Sequence, residues 1–169
     1  YWRGQTRFNH LAETRSLDSL GELDDAKAAM LKAVELDPNY GAPRMALGMF
    51  YIEAPGIVGG SVRKAREQGN ALLALPGDSP MQGRMVLARC AAYKEDWEEA
   101  RKQYLAMEEL GSTPSAKVNA ITGWARVQIA NQEDFKGGLA TLERATALAT
   151  TDQEKSGVWY LTGEAKRNL

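Results

Sequence analysis

The chain has 169 residues, 44% of them hydrophobic and 25% charged, with a formal net charge of −1. That length suits one domain, and the composition excludes a disordered chain. Acidic and basic residues are interspersed, so no basic stripe marks a nucleic-acid partner, and no apolar run approaches the ~18 residues of a membrane span. Cys90 is the only cysteine and His10 the only histidine, so no disulfide can form within the chain and no Cys/His cluster is available for zinc. The chain begins at Tyr1 without a methionine, and an upstream segment is expected to have been removed or left out.

Residues 1–20 read as a helix with Phe8, Leu11 and Ala12 on one face, and Gly21 offers a stop. A second helix over 23–36 ends before Pro38, and a third over 41–54 takes Pro43 in its first turn and stops at Pro55. Ser61 is the expected N-cap of a helix reaching Leu75, closed by Pro76 and Gly77. Helices over 80–93 and 96–110 follow, with Gly111 as the stop, then 115–130 and 133–149. A last helix over 152–169 carries Val158, Leu161 and Ala165 on one face, and no segment reads as a strand.

One helical face recurs. Ala26, Met30 and Ala33 are echoed by Ala65, Gly69, Leu72, by Ala100, Tyr104, Met107, and by Gly138, Leu142, Ala145. Three positions before each series stands an apolar residue: Leu23, Val62, Trp97 and Phe135. A period of roughly 35 to 39 residues is a signal of stacked helical pairs. The expectation is an all-α solenoid of one domain, with units near 7–40, 41–77, 78–112 and 115–150 and a capping helix over 152–169.

Gly21, Ala26, Ala33 and Glu35-Leu36-Asp37-Pro38 resemble the second helix and exit of a tetratricopeptide repeat. Leu47, Gly48 and Tyr51 resemble the first helix of the next, with the glycine admitting a close backbone approach. Leu87-Ala88, Trp124-Ala125 and Tyr160-Leu161-Gly163 take similar places further on. The stretch Ala54-Pro55-Gly56-Ile57-Val58-Gly59-Gly60-Ser61 is similar to an insert in a group of bacterial, often exported or periplasmic, tetratricopeptide proteins. The resemblance implies a right-handed solenoid whose concave face binds a protein or peptide segment. Arg15, Met45, Met49, Ile52, Met85, Arg89, Tyr93 and Arg126 would line that face. The functional reading is an adaptable methionine groove with arginines able to grip a carboxylate. The alternative is methionines packed between helices and arginines facing solvent. A periplasmic solute-transport accessory role, or a structural subunit associating through its last helix, are the other functions the resemblance allows.

No residue constellation suggests catalysis, a metal or a cofactor, and the chain is not expected to be an enzyme. His10 lacks a partner set for general-base work, and Cys90 reads as a buried, inert thiol. Gly59-Gly60-Ser61 lacks the spacing of a phosphate-binding loop, so the stretch reads as a widened turn capped by Ser61. Ile57 and Val58 are expected to tuck back between helices. Asp24-Asp25, Glu95-Asp96 and Glu133-Asp134 are expected to open helices, where negative charge complements the dipole.

Overall fold

A computed structural model describes residues 17–169, with side chains from residue 23. Eight helices follow one another: α1 (Leu17–Leu36), α2 (Gly41–Glu53), α3 (Val62–Leu73), α4 (Ser79–Tyr93), α5 (Trp97–Leu110), α6 (Pro114–Ala130), α7 (Phe135–Leu148) and α8 (Asp152–Arg167). A 3₁₀ turn, Gly56–Val58, lies between α2 and α3, and no strand occurs among the described residues. The fold is all-α. The readings of Phe8, Leu11, Ala12, His10 and Arg15 lie outside the described residues.

Local chemistry accounts for most boundaries. Ser61, Asp96, Thr113, Asp134 and Thr151 each accept a backbone N–H three residues ahead, satisfying one of the free donors of a first turn. Before two of these caps stand Glu95 and Glu133, at φ of 58° and 54°, so the chain reverses through a left-handed residue and then enters the helix. Gly21 does not end a helix: α1 runs through it from Leu17 to Leu36, because a single glycine only weakens a helix by about 1 kcal/mol. Asp24 and Asp25 therefore sit inside α1, and Asp24 pairs with Lys27 instead of capping. Gly111 closes α5 in an extended conformation (φ −65°, ψ 107°), not in the left-handed form usual for a glycine stop.

Packing follows chain order. Each helix rests on the next, and α2 also meets α4 while α6 meets α8. Three apolar clusters result. The first joins Leu47, Phe50, Tyr51, Ala65, Leu72 and Val86; the second Ile121, Leu142, Val158 and Leu161; the third Ala88, Tyr104, Met107, Ala120 and Val127. The recurring face is buried in α3, α5 and α7, whereas Ala26 of α1 is exposed. Gly48 acts as expected: a Cβ there would stand 2.8 Å from Val86 Cγ1, so α2 and α4 can meet only without one.

The loop from α2 to α3 is braced by its own backbone. Val58 and Gly60 donate to Pro55 O at 3.0 and 3.1 Å, and Ser61 donates to Tyr51 O at 2.7 Å. Val58 packs on the first cluster, but Ile57 is 95% exposed and does not tuck back. Three residues of 3₁₀ turn cannot point both side chains inward, and only Val58 gains a partner. Ile57→Ser should therefore change unfolding free energy by less than about 0.5 kcal/mol in urea titration. A loss well above that would mean that Ile57 is packed.

α8 is seated by a reciprocal cap. Glu154 N–H donates to Thr151 Oγ1 at 3.2 Å, while Glu154 Oε2 accepts from Thr151 N–H at 3.0 Å and Thr150 N–H at 2.9 Å. Ser115 at the start of α6 donates its hydroxyl to Glu154 Oε1, tying α8 to α6. These bonds, the Ser115 hydroxyl first and the Thr151 and Thr150 amides next, lower the Glu154 pKa to about 2. A carboxylate with a depressed folded pKa contributes stability above its unfolded pKa and loses it as pH falls through the folded one. The contribution should be intact above about pH 4.5 and decline towards pH 2. Acid titration by circular dichroism should show Glu154→Gln flattening that part of the profile; an unchanged profile would exclude this group as a source of acid sensitivity.

Candidate functional site

The residues expected to form a groove do not share one environment. Met45 and Met49 are half-buried against the first cluster, and Ile52 is buried within it, 8% exposed. Met85 packs on the third cluster with Met81, Ala92 and Trp97. Arg89 is engaged by Glu53 of α2, Nη2 to Oε1 at 3.0 Å, so its guanidinium is already matched to a carboxylate. Tyr93 and Arg126 are exposed, and Arg15 lies outside the described residues. Cys90 is fully buried; burial raises its pKa against the opposing pull of Arg66, Lys94 and Arg89, which suits an inert thiol.

The described residues hold a cleft elsewhere, with a volume of about 540 Å³, between α5, α6 and α7. α5 contributes Trp97, Glu98, Arg101 and Leu105, whose spacing of one, three and four places them along one side of the helix. α6 contributes Trp124 and Gln128, with Gln132 just beyond, and α7 contributes Thr141 and Arg144 with its cap Asp134. Trp97 and Trp124 are partly buried and rest on the third cluster.

The α6–α7 side of the cleft is held by a short polar chain. Buried Gln128 donates to Asp134 Oδ2 at 3.2 Å and accepts from Thr141 Oγ1 at 2.6 Å. Asp134 Oδ1 meanwhile caps α7 through Gly137 N–H at 2.9 Å. Arg144 reaches back to Glu108 of α5. Gln128 thus links α6 to Thr141 and Asp134 on the α7 side, and Arg144 separately ties α7 to α5.

This cleft has no counterpart in the local sequence pattern. Trp97 precedes one recurring face and Trp124 stands in a repeat-like Trp-Ala pair, and nothing in a local pattern brings positions 27 residues apart together. Two of the chain's four tryptophans were the available signal.

A family model described as the TRAP transporter T-component matches residues 1–115, from the N-terminus to the first turn of α6. This overturns the assignment to the tetratricopeptide repeat proteins, and with it the generic peptide-binding groove and the exported repeat group that the resemblance implied. The physical reason is that a period of 35 to 39 residues and small residues on one helix face serve any stack of helical pairs, so they do not separate families. The family description instead gives protein partners of one kind, the other components of a transporter. No curated protein and no solved structure matches the chain. No described helix is long and apolar enough to cross a membrane.

Proposed function

Because this chain belongs to the TRAP transporter T-component family, we propose that it is a non-catalytic accessory component of a solute transporter and acts by associating with that transporter's other proteins. The observation that supports this is the family match over residues 1–115, which spans more than half of the chain and takes in α1 to α5. The test is affinity capture of the tagged chain in its native host, with the transporter's own components identified by mass spectrometry after crosslinking. Recovery of those components is the expected outcome. Their absence, with the bait folded and abundant, would reject the proposal.

A finer part of the proposal concerns self-association through α8. Trp159 and Tyr160 are 68% and 66% exposed there, beside the Val158, Leu161 and Ala165 face that packs inward. Adjacent exposed aromatics on one helix are an apolar surface that a second copy could cover. Light scattering should show a species larger than one chain that is lost in the Trp159→Ser/Tyr160→Ser double variant. A monomer at all concentrations would remove this part and leave the transporter reading untouched.

A further inference from the structure

We propose that Ile57, at the tip of the α2–α3 loop, is an anchor that enters an apolar, carboxylate-rimmed pocket on another protein of the transporter. The partner's identity rests on the transporter reading above, and the loop, residues 54–61, lies inside the matched stretch 1–115.

Ile57 is the most exposed large hydrophobic side chain among the described residues, at 95%. It gains no packing partner, so the fold itself does not call for an apolar residue at this point. The loop that carries it is nonetheless held firmly. Val58 fixes its inner side in the first cluster, Pro55 O takes two amides, and Gly59 N–H donates to Gly56 O at 3.1 Å. A Cβ added at Gly56 would meet nothing within 4 Å, so the apex beside Ile57 stands clear of the helices. A protruding side chain on an already ordered loop loses little freedom on docking, which suits an anchor that fills a pocket.

The charges around the knob select the rim. Residues 54–66 hold Arg63, Lys64 and Arg66 and no acidic residue. Arg63 is taken by Glu67, whereas Lys64 and Arg66 enter no ion pair among the described residues. Lys64 stands in the first turn of α3, its N–H capped by Ser61 and its ammonium 5.6 Å from the centre of the Tyr51 ring. A cation at that end of a helix gains nothing from the dipole, so it does not serve α3. On the α1 side Lys27 reaches towards Gly59 and engages Asp24, which occupies that carboxylate. The free cations suit carboxylates that a partner brings. A lipid surface fits less well: even a whole myristoyl chain binds a membrane only marginally, and one isoleucine buries far less.

The test repeats the affinity capture with the unaltered chain, Ile57→Ser, Ile57→Leu and Lys64→Gln at matched, subsaturating bait levels. Ile57→Ser should cut recovery of the transporter's components roughly tenfold or more, as the loss of one buried aliphatic side chain implies. Ile57→Leu should keep most of the recovery, and Lys64→Gln should lower it about twofold to fivefold. Equal recovery with Ile57→Ser, or with Lys64→Gln, would overturn the proposal and leave the transporter reading standing. No transporter component on the unaltered chain would reject both. Loss of helicity in Ile57→Ser by circular dichroism would mean that Ile57 is packed, which also overturns it. Sedimentation with phosphatidylglycerol vesicles that Ile57→Ser abolishes would assign the knob to a lipid surface instead. Self-association in light scattering that Ile57→Ser abolishes would assign it to a second copy; either result overturns the proposal.

Discussion

Gly60→Ala is expected to cost about 3 kcal/mol, seen as a lower urea midpoint with an unchanged slope. A Cβ at this position would stand 1.7 Å from Ala54 O and 2.7 Å from Ala54 C. Both are backbone atoms, so no rotamer change can make room. The loop cannot simply swing away either, because Gly60 N–H is held by Pro55 O and Ser61 N–H by Tyr51 O. The cost would spread to α2 and α3, which this loop joins. Gly59→Ala provides the comparison: its φ of 94° penalises a side chain, but the nearest atom is the mobile Lys27 Nζ at 3.4 Å, so a smaller loss of about 1–2 kcal/mol is expected. If Gly60→Ala loses less than Gly59→Ala, the close approach to Ala54 is not a constraint on the folded chain.

Leu72→Ala should lower stability by a similar amount, about 3 kcal/mol, and lower the melting temperature by roughly 10 °C. Leu72 is fully buried in α3, and its atoms abut Gly41 at the start of α2 and Gly83 in α4. Removing the branched end would open a cavity among three helices. α2 and α4 are already in contact at Gly48 and Val86, so they cannot close in to fill it. Leu36→Ala, at a leucine 74% exposed, should change little by the same thermal measurement. Equal effects at the two sites would mean that the first cluster does not carry the stability of the α1–α4 half.

Both expectations rest on features of different legibility. Leu72 was visible in advance as part of a recurring face, and that face is buried in α3, α5 and α7. Gly60 could be seen as part of a turn, but its contact with Ala54 depends on how the five intervening residues fold back. Ile57 shows the same limit. An apolar residue in a loop is expected inside, yet the 3₁₀ turn sends it out and gives the inward place to Val58. Arg89 is expected from the sequence to be able to grip a partner's carboxylate, yet Glu53, 36 residues away, already engages it.

Helix class, most helix limits and the alternation of buried faces were written in the chain alone, because a missing proline N–H, a cap three residues ahead and a 3.6-residue period all act within a turn or two. The cleft, the pairing of Arg89 and the outward turn of Ile57 came from three-dimensional packing. They depend on atoms far apart in the chain, and the local pattern at Trp97 is the same whether or not Trp124 lies beside it.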